Sequence, residues 1–351
     1  MRLESLLGTQ YPVIQAPMAL GQTSALAIAA SNAGGLGSLA CATLTTDTLR
    51  GELQAMRAGT DKPYNVNFFC HTPPVPDANR EAVWREALAP YFAEYGIDPA
   101  TIPAGPGREP FTRQVADIVE EFRPPVVSFH FGLPAPELVD RVKSWGSKVL
   151  ASATTVEEAV WLERNGADAI IAQGNEAGGH RGMFLTDDIA SQLGTFALLP
   201  QVAAAVRVPV IAAGGIADAR GVAAAHALGA SGVQIGTAFL LCPEATSNPV
   251  HRAAIKSAAA SCTALTNLFT GRPARGIVNR LMRELGPISP AAPAFPLATA
   301  AIAPLRAKAE AGGLGDFSPL WCGQNASACR EVPAAQLLGE FADAWRQAAS
   351  R

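Results

Sequence analysis

Apolar residues along this chain gather in short runs that alternate with longer segments of helical period. The β-rich runs occupy residues 12–16, 36–40, 64–69, 126–131, 148–153, 169–173, 208–213 and 232–237. Between them lie Ala-rich stretches such as 23–32, 156–165 and 219–228, whose apolar spacing builds one buried helix face. The runs are nearly continuous rather than alternating, as expected of strands covered on both faces. Strand followed by helix, repeated, means a parallel sheet. Eight such units predict an α/β fold closed as a (β/α)8 TIM barrel rather than an open doubly wound sheet. The token Gly35-Leu36-Gly37-Ser38-Leu39-Ala40 matches the G-x-G-x-x-A of dinucleotide folds. It follows a helix and opens a strand, however, which is the reverse of that fingerprint.

Two segments break the rhythm. Residues 71–125 are rich in Pro, Tyr and Phe and read as a long loop insertion with helical pieces over the barrel mouth. Residues 241–324 do not continue the strand–helix repeat. They hold a helical start at 249–261, a Gly/Arg loop at 270–279 and a Pro/Ala-rich stretch at 287–304, and read as a smaller, mostly helical cap domain. An amphipathic helix follows at 333–350. The expected organisation is a barrel domain over 1–240 with its 71–125 insertion, a cap over 241–324, and a C-terminal helix within 325–351 packed on the barrel.

Composition then removes several classes of function. With 351 residues and 49% hydrophobic content, the chain can fill one large core plus an appendage. A net charge of −3 leaves no basic footprint, so nucleic acid is not an expected partner. No apolar run approaches the roughly 18 residues of a membrane span, and the start Met1-Arg2-Leu3-Glu4 does not read as a secretion signal. The six cysteines (Cys41, Cys70, Cys242, Cys262, Cys322, Cys329) are scattered without a C-x-x-C. Reduced thiols in the cytoplasm are expected, with neither a disulfide framework nor a metal site.

In such barrels the chemistry sits at the C-terminal strand ends, and that rule sorts the polar residues. Asn67 nears the end of the third run, His130 closes the fourth and Gln173 the sixth. Beyond Gln173, the loop Gly174-Asn175-Glu176-Ala177-Gly178-Gly179-His180 delivers a histidine. Glycine permits close backbone approach to a planar ligand, and imidazole suits proton transfer near neutral pH. Gly214-Gly215 follow the seventh run, and Gly236-Thr237 end the eighth. These two loops predict a phosphate site held by backbone N–H groups. Asn67 and Gln173 offer donor and acceptor together, which suits the edge of a flavin pyrimidine ring. His130 divides between substrate pocket and packing, His71 reads as structural or exposed, and His226 and His251 as surface or packing residues. No lysine ends a predicted strand, which disfavours Schiff-base aldolases. No histidine–carboxylate cluster marks a metal hydrolase, and no nucleophile elbow is present.

The segments Gln15-Ala16-Pro17-Met18, Asn65-Val66-Asn67-Phe68-Phe69, Ser128-Phe129-His130-Phe131-Gly132, Gln173 through His180, Ala213-Gly214-Gly215-Ile216 and Gln234-Ile235-Gly236-Thr237 together resemble the nitronate monooxygenase family, formerly the 2-nitropropane dioxygenases. Gly271-Arg272-Pro273-Ala274-Arg275-Gly276 and Leu320-Trp321-Cys322-Gly323-Gln324 extend the likeness. The resemblance implies FMN, lined by Ala16, Pro17, Met18, Asn67, Gln173, Gly178, Gly179, Gly214, Gly215, Gln234, Ile235, Gly236 and Thr237. It implies His180 as the catalytic residue, either a base or a hydrogen-bond donor. The implied reaction is oxidation of an alkyl nitronate or propionate 3-nitronate by O2, through a flavin semiquinone, to a carbonyl compound and nitrite. That is cytoplasmic nitroalkane detoxification by a monomer or homodimer. The late stretch 295–306 lacks the tyrosines and lysine common in that class, and reads as a more apolar wall with less anchorage for a carboxylated substrate. Two other readings stay open: an NAD(P)H-dependent FMN reductase acting on a quinone or enoyl thioester, and a non-catalytic barrel binding a phosphorylated metabolite.

Overall fold

The computed structural model describes residues 2–19, 21–103 and 108–350. Its strands are β1 (Val13–Gln15), β2 (Gly37–Ala40), β3 (Tyr64–Phe69), β4 (Val126–His130), β5 (Lys148–Ala153), β6 (Ala169–Gln173), β7 (Gly179–His180), β8 (Val210–Ala213), β9 (Gly232–Ile235), β10 (Thr263–Thr266) and β11 (Ala274–Ile277). Eight of them form one parallel sheet in the order β1-β9-β8-β6-β5-β4-β3-β2. A parallel bridge between Ile14 and Leu36 joins its two ends. Leu36 N donates to Val13 O at 2.9 Å and Gln15 N to Leu36 O at 3.0 Å. The sheet is therefore closed, and the fold is the (β/α)8 TIM barrel.

Period-two side-chain alternation explains why the runs look continuous. Ile14, Leu36, Val126, Leu150, Ala169, Ile171 and Ile211 pack inside the barrel, together with Leu3 and Leu7 of the first short helix. Their strand neighbours Val13, Ala151, Ile170, Ala172, Val210 and Val233 pack outward under the helices. The glycines at the start of β2 serve this packing. A Cβ on Gly37 would lie 1.8 Å from the Ala27 carbonyl oxygen, so only glycine lets helix Ser24–Asn32 sit on its strand.

The helix Ala334–Ala349 takes the eighth position around the barrel. It buries Leu337, Leu338, Phe341, Ala344 and Trp345 in the same core as Leu26 and Val222 of neighbouring helices.

The residues between β3 and β4 divide in two. Helix Arg113–Phe122 covers the barrel, burying Ala116, Ile118 and Val119 in one core with Val139. Helix Ala78–Glu94 instead turns Trp84, Leu88 and Phe92 toward Leu281, Ile302, Leu305 and Phe317, far along the chain. The Trp84 Nε1–H donates to Ala298 O at 3.3 Å. Insertion and late segment thus share one core. That late segment is less helical than its composition predicts. β10 and β11 pair antiparallel, and β11 also pairs with β7, so the expected Gly/Arg loop contains a strand.

Phe341 is 2% exposed and meets Phe239, just after β9, at 6.0 Å between ring centroids. Phe341→Ala is expected to cost about 3–5 kcal/mol, read as a lower midpoint in urea. An unchanged midpoint would show that the last helix is not part of the barrel core.

Candidate functional site

One large cavity opens at the C-terminal ends of the strands. Its wall includes Ala16, Pro17 and Met18 after β1, Asn67 of β3, His130 of β4, Gln173 of β6, Gly178, Gly179 and His180 around β7, Gly214 and Gly215 after β8, and Gln234, Gly236 and Thr237 at β9. Ile235 is the exception among the expected residues. Strand alternation turns its side chain into the helix-side core, while its carbonyl accepts from Ala16 N at 2.8 Å.

Hydrogen bonds decide what each amide can still offer. Asn67 Nδ2 donates to Ser128 Oγ at 2.9 Å and Ser128 O at 3.2 Å, which leaves Oδ1 as an acceptor. Gln173 Oε1 accepts from Gly182 N at 2.8 Å, and its Nε2 donates to His180 O at 2.9 Å, leaving one N–H. Gln234 Oε1 is buried without a protein partner. Asn67 Oδ1 is thus left as an acceptor and Gln173 Nε2–H as a donor on the cavity wall, which can meet the N–H and one carbonyl of an isoalloxazine pyrimidine edge.

At the other side, Gly214 (φ +112°) and Gly215 (φ +75°) hold consecutive left-handed backbone that other residues resist. The N–H groups of Gly214, Gly215 and Gly236 have no acceptor among the described residues. Such amides at the start of helical turns hold a phosphate. Thr237 Oγ1 accepts from Gly323 N at 3.0 Å, and its hydroxyl proton remains available. The donor set fits FMN. Among the described residues, no cluster of His, Cys, Asp or Glu could hold a metal ion. No helix there is long and apolar enough to cross a membrane.

His180 sits on β7, whose partner β11 aligns Ala274 with His180 and Arg275 with Gly179. Its ring is boxed by Phe69, Phe131, Phe295 and Trp321, with centroids 5.4–6.0 Å away. Its Nε2 lies 3.0 Å from Thr270 Oγ1. His130 Nε2 donates to the His180 carbonyl at 3.1 Å. Burial holds the His180 imidazole well below its ordinary value, and Arg108, His130, Arg272 and His71 add to that. Burial likewise takes His130 and His71 down to about 4. His71, which reads as structural or exposed, is buried against Phe295, with both ring nitrogens unpartnered.

Several lining residues escape sequence reasoning. His251 belongs to the cavity wall rather than to the surface, and its Nε2 donates to Trp321 O at 3.0 Å. Arg108 and Arg306 also reach the wall, so the expectation of an apolar late segment is corrected there. Burial and the nearby Arg306 guanidinium take Arg108 down to about 10. Arg306 Nε is tied to Glu310 at 2.8 Å, and its other nitrogens have no acceptor among the described residues. Arg272 and Arg275 are braces. Arg272 donates to Met183 O and lies over Phe131, while Arg275 grips Asn175 and Thr263. Arg306 was in plain view at the end of the 295–306 stretch, one helical turn from Glu310. Arg108 lay in a segment with no period to orient it.

A profile of the family described as nitronate monooxygenase matches residues 1–343. The nitronate monooxygenase of Pseudomonas aeruginosa is 46% identical over 96% of this chain and 97% of its own. That of Paraburkholderia phytofirmans is 45% identical over 96% and 92%. Among solved structures, the nitroalkane oxidase of Streptomyces ansochromogenes superposes with a TM-score of 0.90 at 38% identity, over 99% of each chain.

The buried histidines make a linkage prediction. Their folded values lie below the ordinary 6.5, so between about pH 6.5 and 4 the unfolded chain binds protons that the folded chain refuses. Stability is therefore full above 6.5 and falls as pH drops. The urea midpoint should decline from pH 7 to 5, less steeply in His71→Phe. Equal slopes in the two proteins would mean that His71 titrates normally.

Proposed function

The chain belongs to the nitronate monooxygenase family, and on that premise we propose that it binds FMN and oxidises nitronates with O2 to a carbonyl compound and nitrite. One observation carries this reading: the same cavity joins unpartnered glycine amides at one side to a neutral, aromatic-boxed His180 at the other. FMN bound there supplies the electron acceptor, which is chemistry that side chains lack. The chain's own part is to bind, orient and manage charge. Gly214, Gly215, Gly236 and Thr237 take the phosphate. Asn67, Gln173 and Gln234 set the ring edge. Phe69, Phe131, Phe295 and Trp321 exclude water around His180. His180 either hydrogen-bonds a nitronate oxygen or takes the α-proton of a neutral nitroalkane.

Arg108 and Arg306 favour a nitronate that carries a second anionic group, for which propionate 3-nitronate is the simplest case. Guanidinium presents planar donors that match a carboxylate. Glu310 and Glu176 are the carboxylates on the wall. Glu310 is held by Arg306 and by Ser318 Oγ at 2.7 Å. Glu176 is held by Thr195, at 2.7 Å to its N and 2.8 Å to its Oγ1. Neither is left to repel an anion at full strength.

The test is turnover of a nitronate followed by oxygen uptake and nitrite release in purified, yellow protein. A colourless protein that bound phosphate esters would sink the flavin reading, and rapid anaerobic bleaching by NADH would favour a reductase. His180→Asn should keep FMN yet lose about 10²–10⁴-fold on neutral nitroalkanes, with a smaller loss on preformed nitronates. Arg306→Ala should raise KM for propionate 3-nitronate about tenfold or more and change it far less for an alkyl nitronate that lacks the carboxylate. Equal changes for both substrates would remove Arg306 from recognition.

A further inference from the structure

His180 has one polar side-chain partner among the described residues, and that partner fixes its chemistry. Thr270 is 2% exposed and stands in the connection between β10 and β11. That connection is held tightly: Gly271 N donates to Asn267 O at 2.7 Å, and Thr299 Oγ1 donates to Phe269 O at 3.1 Å. Thr270 Oγ1 has two neighbours, the Arg272 carbonyl at 3.4 Å and His180 Nε2 at 3.0 Å. A carbonyl only accepts, so Arg272 O offers the hydroxyl proton a place other than His180. With the proton turned there, the hydroxyl oxygen takes a proton from His180, and that proton sits on Nε2. Nδ1 keeps its lone pair. It has no hydrogen-bond partner among the described residues, and the ring lines the cavity.

We propose that Thr270 is a positioning residue that fixes His180 as the Nε2–H tautomer and thereby makes Nδ1 the atom that accepts the substrate's α-proton. This rests on the nitronate-forming reading above. In the step, the Cα–H bond of a neutral nitroalkane breaks and its electron pair forms the C=N bond of the nitronate. The negative charge settles on the nitro oxygens, and the proton goes to Nδ1. The imidazolium so formed keeps Nε2–H on Thr270. The groups around it are Arg108, His130, Arg272 and His71. None is a carboxylate, so no anion shares the proton. A preformed nitronate needs no proton removed and is indifferent to the tautomer.

The experiment is 15N NMR of histidine-labelled holoenzyme, with His180→Asn assigning the resonance. The wild type should show a pyridine-type Nδ1 and a pyrrole-type Nε2. Thr270→Ser should preserve that pattern, and Thr270→Val should shift the proton toward Nδ1. With FMN content unchanged, Thr270→Val should lose about tenfold in kcat/KM on neutral nitroalkanes and little on preformed nitronates, and Thr270→Ser should restore the rate. A wild-type Nδ1–H tautomer would overturn the proposal, as would a Thr270→Val enzyme with unchanged tautomer and rate. If Thr270→Val does not fold, the wild-type and Thr270→Ser spectra still decide. A wild type that oxidises no nitronate would defeat the functional reading while leaving the tautomer result standing.

Discussion

The two-residue pairing of β7 with β11 is the constraint on which the site depends. Glycine-rich loops wander unless something fixes them, because glycine loses the most conformational freedom on ordering. Here the barrel loop 174–180 is caught between two holds. On one side β11 pairs with Gly179 and His180, and Arg181 N donates to Pro273 O at 2.9 Å. On the other, the fully buried Arg181 donates to Gln173 O and Gly174 O at 2.6 Å each and to Gln192 Oε1 at 2.9 Å. A buried guanidinium is costly unless its donors are met. Here three of its nitrogens are met by groups that define the loop. The cost is thus coupled to holding the histidine in place, and loss of the loop's shape would strand a charge.

The barrel itself was legible because eight buried strands flanked by Ala-rich helices leave a pattern with few rival folds. β5 and β6 match their expected limits, as does β3. The cavity floor was legible for a related reason: strand ends in this fold open on one face, so Asn67, Gln173, Gly214 and Gly236 could be placed by position alone. The β7–β11 hold was not. A strand of two residues has no period. Ala274-Arg275-Gly276-Ile277 carries a charge and a glycine, which mark loops in most sequences. Only the buried Arg275, spent on Asn175 and Thr263, lets it run as a strand. His251 reads as surface or packing, and not as cavity wall, for a similar reason. The short helix Pro249–Lys256 has its one deeply buried apolar residue in Ile255, too little pattern to show that His251 faces inward.

The electrostatics of the cavity raise a point about catalysis under the proposed reading. Arg108 and Arg272 help to push His180 below its ordinary basicity, and a weaker base takes a proton less readily. Those cations do not act on the base alone. Proton transfer from a neutral nitroalkane to a neutral imidazole creates an anion and a cation at once. A positive field penalises the imidazolium and favours the nitronate, so the loss of basicity is offset by a gain in substrate acidity. Which effect wins depends on which charge the guanidiniums approach more closely. Arg272 lies over Phe131 with its Nη2 spent on Met183 O, so it acts mainly as a background field. Arg108 and Arg306 line the space a substrate would fill, where the developing anion would meet them directly. A histidine depressed by such neighbours is therefore not a poor base in context. It stays neutral at pH values where an ordinary imidazole would already be protonated, and its low affinity for the proton also lets it release that proton before the next turnover.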